Sequence, residues 1–491
     1  MRVYGRTRLR GARGVIARPD GREVKPLPGR AKDESSRSWK WMFRISSNWR
    51  RGTLILCAVG QTTYLLGRCV VQPTLQRPLQ DKSTCQDSHI IIAGSTVITA
   101  SRCASQQPEM SLIESPGELH TLKYEREEDS PAAITTLCLD QSPESSSRVS
   151  LACFLSTGDF SVFQFNPRSP FFTTRTFNHT PRLHRLRSTS HVVQAAFYYP
   201  LIVTLSEDFT LSVYDLSSGS VRQTQSLKSF TSYPPSSLVL SAPTPTTFKI
   251  VLAYSIPVYP RHWSAGASEL IISNDPSASS VPASPLAPQP SFAEEFRLAT
   301  FNAMNVIASR TIRAIDVPSG WIDEHRLHLM REQWSRKVIS VADTQTDGKW
   351  LILAPGDGAK ESSASPSPSP SSSNTTPQLY SSPGLQLYRL VFPTQRNSGL
   401  PSPPRLTFVR TLHGQGSAVS ALAVADGRCV SLGYNGSIWV WDLEHGTGAE
   451  VAPALDNVDI SLSAGRGTVS FDDRQIVTSH LGKLAVRRFD V

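Results

Sequence analysis

Two histidines beside two carboxylates are the residues of this sequence whose types and spacing come closest to metal chemistry. His325 and His328 are three positions apart, and they follow Asp323 and Glu324 directly. On a helix, residues three apart share a face, where imidazole and carboxylate groups could bind a divalent cation. The surrounding run is charged throughout, so a charged, solvent-facing helix is the interpretation we favour. We expect no metal site here.

Other motifs of enzymes and cofactor sites are missing from the sequence. It contains no GxSxG nucleophile motif, no HExxH zinc motif, no glycine-rich phosphate loop and no dinucleotide fingerprint. Each of these chemistries needs its residues at a fixed spacing, because the reacting groups must converge on one point. We therefore predict a protein that is not an enzyme and that binds no cofactor. The alternative hypothesis is that the chain is an enzyme.

The cysteines are odd in number, and no two of them have CxxC spacing. A secreted disulfide framework and a zinc site are therefore disfavoured, and small buried apolar side chains are expected. Because no apolar export signal is visible, the chain is expected in the cytoplasm, the nucleus or both. The cysteines are Cys57, Cys69, Cys85, Cys103, Cys138, Cys153 and Cys429.

Positive charge is concentrated at the N-terminal end. Residues 1–51 hold 15 Lys and Arg against 4 Asp and Glu, whereas the other 440 residues hold 35 against 36. A near-neutral body lacks the positive patch that nucleic acid requires, so we expect protein partners and no nucleic acid there. Residues 1–38 are predicted to form a disordered, solvated basic segment. Contact with an acidic partner, an import signal and a mitochondrial presequence are the alternatives for this segment.

The elements that would position any site are short strands. From about Leu54 onward, short β-branched runs alternate with Ser, Thr, Pro, Gly, Asp and Asn, a pattern typical of strands. Leu54–Val71 is interrupted by polar residues and is interpreted as buried strand, not as a membrane span. We consider a helix only for Ser291–Ile315 and Trp321–Val338.

Three Ser/Pro-rich stretches are predicted to be enlarged, disordered loops. They are Ser277–Pro290, Gly358–Pro377 and the shorter Asn397–Arg405. Such segments bury too little apolar surface to order themselves. Their Ser-Pro pairs are either sites of proline-directed phosphorylation or parts of inert spacers.

One repeat unit decides the fold class. Thr411–Leu443 contains strand patterns at Ala418–Val424, Arg428–Leu432 and Ser437–Trp441. Asn435-Gly436 between two apolar runs is a strong hairpin signal, because both residues tolerate positive φ. Two hairpins in succession predict an antiparallel meander of about four strands.

This unit resembles a WD repeat. The matching residues are His413 near its start, Ser431 in the second strand, Asn435 in the turn, and Trp441 followed by Asp442 at its end. In that family a His, a Ser, an Asp and a Trp share a hydrogen-bond network that locks each blade. Here the Gly-His order of the family is reversed to His413-Gly414, and Asn435 stands in place of the turn Asp.

Weaker copies of the same pattern support a repeat. Each combines a turn residue, an alternating strand, an aromatic residue and a closing Asp or Asn, and units of about 40 residues of this kind mark propellers. The sequence predicts an all-β, WD-repeat-type propeller of seven blades over residues 54–491, with blades that cannot be assigned individually between 232 and 410. The copies are Asp208, Tyr214 and Asp215; Asp159, Phe165 and Asn166; and Phe489 with Asp490.

A tryptophan-rich segment precedes the propeller. Trp39, Trp41, Asn48, Trp49 and Arg50 lie within residues 39–53, which resemble the linker between F-box and first blade in fungal F-box/WD-repeat proteins. The resemblance implies a substrate-recognition subunit of a cullin-RING (SCF-type) ubiquitin ligase, with ligase subunits and a degradation substrate as partners. Residues 1–38 show no leucine-rich F-box pattern, so either the F-box is lost or the chain is truncated. A hydrophobic clamp on the propeller is the alternative for the tryptophans, and a non-ligase scaffold is the alternative for the protein.

Overall fold

The computed structural model describes residues 55–57, 88–114, 118–125, 130–142, 148–166, 169–181, 190–258, 261–273, 304–315, 322–356, 384–392, 403–454, 466–480 and 482–489. Within these ranges the chain forms seven antiparallel sheets of four strands each. In six of them the strands are neighbours in chain order, so each blade is an up-and-down meander. The predicted all-β propeller of seven blades is confirmed.

The blades follow one another along the chain. Blade 1 contains β2 (Ser88–Ala93), β3 (Thr96–Ser101), β4 (Glu109–Glu114) and β5 (Glu118–Lys123); blade 2 contains β6 (Ile134–Leu139), β7 (Val149–Leu155), β8 (Phe160–Asn166) and β9 (Ser169–His179); blade 3 contains β10 (Val192–Tyr198), β11 (Leu201–Ser206), β12 (Thr210–Asp215) and β13 (Arg222–Lys228). Blade 4 contains β14 (Tyr233–Thr244), β15 (Thr247–Val258), β16 (His262–Ser273) and β17 (Asn305–Arg313); blade 5 contains β18 (Val341–Thr346), β19 (Trp350–Pro355), β20 (Leu385–Val391) and β21 (Arg405–Leu412). Blade 6 contains β22 (Val419–Ala425), β23 (Arg428–Gly433), β24 (Ile438–Asp442) and β25 (Thr447–Ala452); blade 7 contains β26 (Thr468–Phe471), β27 (Gln475–His480), β28 (Lys483–Arg488) and β1 (Ile55–Cys57).

The hydrophobic core lies between the blades rather than within them. Each of the seven clusters of buried apolar side chains combines residues from two consecutive blades, and the last of them joins blade 7 to blade 1. A four-stranded sheet has two apolar faces and can cover neither alone, so each blade depends on both neighbours for burial. This explains why the second strands are largely buried, and Trp350–Pro355 is buried at every position.

The ring is closed by pairing of the two ends of the propeller. β1 pairs antiparallel with β28, with Ile55 opposite Arg488 and Cys57 opposite Val486. The innermost strands β2, β6, β10, β14, β18, β22 and β26 contact one another in that order, and β26 contacts β2. A strand from the N-terminal side therefore completes the sheet that the C-terminal strands begin.

The two faces of the ring carry different connections. All innermost strands begin at the same face, which we name the entry face. In an antiparallel meander the connections between blades, and those between second and third strands, lie at this face. The connections from first to second and from third to fourth strands lie at the opposite face, named the exit face. A helix, α1 (Glu324–Ser335), lies in the connection between blades 4 and 5 and therefore belongs to the entry face.

The structure separates the two helix predictions. α1 lies within Trp321–Val338, which confirms that prediction. For Ser291–Ile315 the prediction is wrong in the described part, because β17 (Asn305–Arg313) occupies it and pairs with β16. Half-buried and exposed positions alternate along β17, as expected for an outermost strand with one face towards solvent. The polar residues of β17 made the apolar period of two, which is typical of a strand, hard to detect in the sequence.

The cysteine prediction holds in part. Cys138, Cys153 and Cys429 are free and buried, and burial raises the pKa of each thiol. Cys103 is disulfide-bonded, so the expectation of buried, unpaired cysteines is wrong at that position. Buried thiols with raised pKa values are poor nucleophiles, because the thiolate is the reactive form.

Several predictions lie outside the described residues. They concern residues 1–38, residues 39–53, the loops 277–290 and 358–377, and Leu54–Val71 apart from β1. Among the helices of the described ranges, none is long and apolar enough to span a bilayer.

Candidate functional site

The hydrogen bonds of Trp441 and Ser431 in blade 6 involve a residue that the sequence analysis did not name. Trp441 donates its indole Nε1–H to Ser431 Oγ over 2.9 Å, and Ser431 donates to Gln415 Oε1 over 2.6 Å. Gln415, and not His413, therefore accepts the hydrogen bond from Ser431, which corrects the placement of His413. Gly414 directly precedes Gln415, just as Gly directly precedes His in the WD repeat. Gly414 has a φ of +146°, and a Cβ there would lie 2.6 Å from the Trp439 ring.

The turn residues of the repeat cap their own turns. Asn435 Oδ1 accepts from Ser417 Oγ over 2.8 Å and from the Ser437 N–H over 3.1 Å. Asp159 accepts from Thr157 Oγ1 over 2.8 Å in the corresponding turn of blade 2. These turn residues stabilise hairpins by side-chain-to-backbone and side-chain-to-side-chain bonds.

Asp208 is the turn residue of blade 3. It accepts from Ser206 Oγ over 2.5 Å and from Thr210 Oγ1 over 3.1 Å. Its carboxylate also accepts a hydrogen bond from Lys228 Nζ over 2.7 Å. This hydrogen bond is the main reason why the pKa of Asp208 lies below its ordinary value.

The closing residues of the repeat also have structural roles. Asp215 Oδ1 accepts from the Ser217 N–H over 2.9 Å, and Asp442 Oδ1 accepts from the Glu444 N–H over 3.0 Å. Each carboxylate caps the turn after the third strand. The aromatic position before Asp215 is Tyr214, whose ring packs 5.1 Å from that of Phe160 in blade 2. These residues build the scaffold, and Phe489 is a buried core residue at the equivalent place; Asp490 lies outside the described residues.

The histidines and carboxylates that were considered as metal ligands are not arranged as a metal site. Asp323 is the N-cap of α1 and accepts from the Arg326 N–H over 2.6 Å. His325 and His328 are exposed on that helix, and no group of three or more His, Cys, Asp or Glu in the described ranges is arranged to hold a metal ion. The linker residues Trp39, Trp41, Asn48, Trp49 and Arg50 lie outside the described residues.

Blades 5 and 6 are joined by buried carboxylates that the sequence did not reveal. Asp343 Oδ1 accepts from the Thr344 N–H over 2.8 Å, and its Oδ2 accepts from the Leu422 N–H of blade 6 over 3.0 Å. Lys349 Nζ lies 2.7 Å from Glu444 Oε1 across the same junction. These contacts fix the position of the innermost strand β22 relative to β18.

An arginine bridges three innermost strands at the entry face. Arg466 stands two residues before β26, donates from Nη2 to Ala342 O in β18 over 2.8 Å, and donates from Nε to Ser420 O in β22 over 3.3 Å. Its Nη2 also lies 3.5 Å from Asp343 Oδ2, and its side chain is 46% exposed. Nη1 is engaged by no hydrogen bond from the described residues. The guanidinium is thus held where three innermost strands begin, and its Nη1 has no acceptor among the described residues.

Exposed apolar side chains also lie on the entry face. Phe230 is 78%, Ile339 59% and Tyr233 41% exposed, and the Tyr233 ring lies 5.6 Å from the half-buried ring of Trp263. We name these four residues the entry-face patch. All of them are at connections between blades 3 and 4, between blades 4 and 5, or between the second and third strands of blade 4. Exposed aromatic side chains grouped on one face are characteristic of protein-binding surfaces.

Chain connectivity limits the distance between Ile339 and Arg466. Ile339 precedes Ala342, the residue that Arg466 contacts, by three positions, and three residues span at most about 11 Å. The Thr346 N–H donates to Ser237 Oγ over 3.2 Å, so four residues earlier on each strand Tyr233 and Ala342 stand at about the same level. The arrangement offers apolar contact area and one fixed positive charge, and it lacks the converging nucleophile and base of a catalytic site.

The family of the chain follows from its propeller. A family model described as the F-box protein pof12 beta-propeller matches residues 111–463, which is most of the ring. The chain belongs to the F-box protein pof12 beta-propeller family. The matched range contains blades 2 to 6 and, with them, the entry-face patch. The family is one of F-box-protein propellers, and protein partners are what such a propeller implies.

Further comparisons add similar solved structures. No curated protein matches the sequence. The chain is similar to a computationally designed protein, Ika8, at 12% identity, with 81% of this chain and 82% of that chain covered and a TM-score of 0.36. It is similar to the propeller domain of Cps50 (Swd1) from Myceliophteria thermophila at 10% identity, with 82% and 98% covered and a TM-score of 0.38. It is similar to BamB from Moraxella catarrhalis at 9% identity, with 82% and 96% covered and a TM-score of 0.34.

Proposed function

We propose that the chain is the substrate-recognition subunit of a cullin-RING (SCF-type) ubiquitin ligase, or a shortened form of one. In this role the propeller binds the protein to be degraded, and the segment around Trp39–Arg50 faces the ligase core. The observation that carries the proposal is the family match over residues 111–463. The resemblance of residues 39–53 to the linker of fungal F-box/WD-repeat proteins supports it.

The proposed role is one of binding and requires no catalytic group in this chain. The buried cysteines have raised pKa values, and the repeat carboxylates are occupied with capping turns. In a recognition subunit the propeller has only to hold its target near enzymes carried by other subunits. A surface of exposed aromatic side chains beside one arginine suits that task.

Affinity purification of the full-length chain tests the proposal. The tagged protein would be purified from cells that express it natively, and the cullin-based ligase core would be quantified by mass spectrometry. A matched variant carries alanine at Trp39, Trp41, Asn48, Trp49 and Arg50. We expect the ligase core with the native chain and its loss with the variant, while partners of the propeller remain. A stable complex of another kind without any ligase core would contradict the proposal.

A non-ligase scaffold is the second candidate, and the charge distribution favours it. The excess of basic residues lies within residues 1–51, outside the propeller. Such a segment could direct the protein to a compartment while the propeller assembles with other proteins. This candidate predicts that deletion of residues 1–38 changes the location of the protein and leaves its partners unchanged. Fluorescence imaging and purification of the same deletion variant measure both outcomes.

A further inference from the structure

We propose that the entry-face patch and Arg466 together bind an extended peptide of a partner protein, in which an Asp or Glu lies three or four residues from a large apolar side chain. This inference deepens the proposed function, because it names the chemistry of the segment that the propeller would recognise. It does not depend on a ligase, since a scaffold propeller could use the same surface.

The apolar half of the site is the entry-face patch. Tyr233 is the first residue of β14 and Ile339 stands two residues before β18, so both lie where neighbouring innermost strands begin. The Trp263 N–H donates to Val338 O over 2.7 Å, which holds the Trp263 ring beside the chain segment that carries Ile339. A large apolar side chain placed between these rings and Ile339 would be removed from water on several sides.

The charged half of the site is Arg466. Its two carbonyl contacts hold the guanidinium in place before any partner arrives, so little side-chain entropy is lost on binding. A carboxylate that accepts from the open Nη1 edge would form a charge-assisted hydrogen bond. Lys228 is paired with Asp208, so it adds little net charge near Phe230. Arg261 stands two residues before Trp263, and Lys337 one residue before Val338, along the chain.

The local charge favours a carboxylate over a phosphate. Asp343 lies 3.5 Å from Arg466 Nη2 and offsets much of its charge. A monoanionic carboxylate can pair with the remaining edge, whereas a phosphate dianion calls for several cations at close range. We therefore commit to an Asp or Glu side chain as the anionic group.

The spacing follows from the geometry of extended chains. The Cα atoms of Ile339 and Ala342 are at most about 11 Å apart, and Arg466 Nη2 lies a further 2.8 Å beyond Ala342 O. An extended peptide advances about 3.3 Å per residue. A peptide lying across the channel mouth would therefore place its apolar and acidic side chains three or four residues apart.

Fluorescence polarisation with short labelled peptides tests the inference on the purified full-length chain. The probe carries Leu and, four residues later, Glu in a background of Ala and Ser. Three further probes replace Glu by Gln, Glu by phosphoserine, or Leu by Ala. We expect the Leu–Glu probe to bind about tenfold more tightly than the Gln probe or the Ala probe, because each loses one of the two contacts. Equal affinity of the Glu and Gln probes would overturn the inference, and tighter binding of the phosphoserine probe would overturn the carboxylate assignment.

Variants of the protein locate the binding surface. Arg466→Gln and Tyr233→Ala are each expected to weaken binding of the Leu–Glu probe about tenfold, and Arg466→Lys, which keeps the charge, is expected to weaken it less. Tyr199→Ala and Arg222→Gln are matched controls, since both side chains are exposed and belong to the exit-face side. Circular dichroism checks that each variant is folded. Equal losses in the control variants would overturn the location.

The two proposals can fail separately. The peptide assay contains no ligase subunit, so its result is independent of whether the ligase core binds. Ligase binding without preference for the Leu–Glu probe contradicts only this inference, whereas peptide preference without ligase binding contradicts only the ligase proposal.

Discussion

The carboxylate of Asp347 accepts a hydrogen bond of 2.8 Å from the backbone N–H of Gly427. Its other oxygen accepts from the N–H groups of Lys349 and Trp350, over 2.9 Å and 2.7 Å. One fully buried side chain therefore closes the first turn of blade 5 and ties it to the first turn of blade 6. Asp140 makes the same kind of link from blade 2 to the N–H of Tyr199 in blade 3, over 3.0 Å.

Replacement of Asp347 by alanine should destabilise the ring strongly. The change leaves three backbone N–H groups without their acceptor in a site closed to water, and we expect a loss of about 3 kcal/mol. Denaturant unfolding followed by circular dichroism measures it. Glu324→Ala on α1, where the side chain is exposed, is the control and should change stability little. A loss no larger than that of the control would show that the link between the turns contributes nothing.

The contact of Ser431 with Gln415 distinguishes two interpretations of blade 6. Gln415→Ala removes the acceptor of a buried hydroxyl and should cost about 1 kcal/mol, whereas His413→Ala should have little effect because that side chain is exposed. Thermal unfolding of the two variants provides the comparison. The reverse order of effects would restore His413 to the network.

Because β1 closes the ring, we expect the stability of a truncated chain to depend on whether it keeps this strand. A chain that begins at Leu54 keeps β1, whereas one that begins at Ala58 leaves the edge of β28 unpaired. We expect the shorter chain to be less stable than the longer one by about 2 kcal/mol, because several strand hydrogen bonds are lost. Equal unfolding midpoints of the two chains would argue that β1 does not close the ring in solution.

His89 predicts a pH dependence of stability. Burial lowers the pKa of His89 to about 3, with a further contribution from the charge of Arg102. In the unfolded chain His89 binds a proton near pH 6.5, whereas in the folded chain it stays neutral down to about pH 3. The stability contributed by neutral His89 is therefore present above about pH 6.5 and falls as the pH drops from there towards 3. Between pH 7.5 and 5.5 we expect a loss of about 1 kcal/mol.

The matched variant for this effect is His89→Gln, which can still donate to Ile134 O but does not titrate. Urea unfolding at both pH values gives the change in stability for each protein. The account requires the native chain to lose more than the variant; an equal loss would assign the pH dependence to other groups.

The first three strands of blade 6 were predictable to within one residue, and the reason is local. Asn435-Gly436 marks a turn by its own backbone preference, and the apolar runs on either side have the period of a strand. The outermost strand β17 was not predictable in the same way. Val306, Ala308 and Ile312 lie on its half-buried face, but Ile307 lies on the exposed face and interrupts the apolar period of two.

The candidate site could not be predicted, because it depends on the relation between blades. Asp343, Asp347 and Arg466 act on backbone groups 79 to 124 positions away along the chain. Nothing near these residues in sequence indicates which strand will lie beside them. The same holds for Tyr233 and Ile339, whose proximity appears only when the innermost strands are aligned. The misplaced His413 was a local error, since the adjacent Gly414 already suggested the correct order.

Binding of the purified full-length chain to a purified cullin-based ligase core, measured by biolayer interferometry, tests the central claim most directly. We expect saturable binding with a Kd of about 1 μM or tighter, and loss of that binding when Trp39, Trp41, Asn48, Trp49 and Arg50 are replaced by alanine. Failure to bind at concentrations well above that value, with the propeller shown to be folded, would contradict the ligase role and favour a propeller scaffold in another assembly.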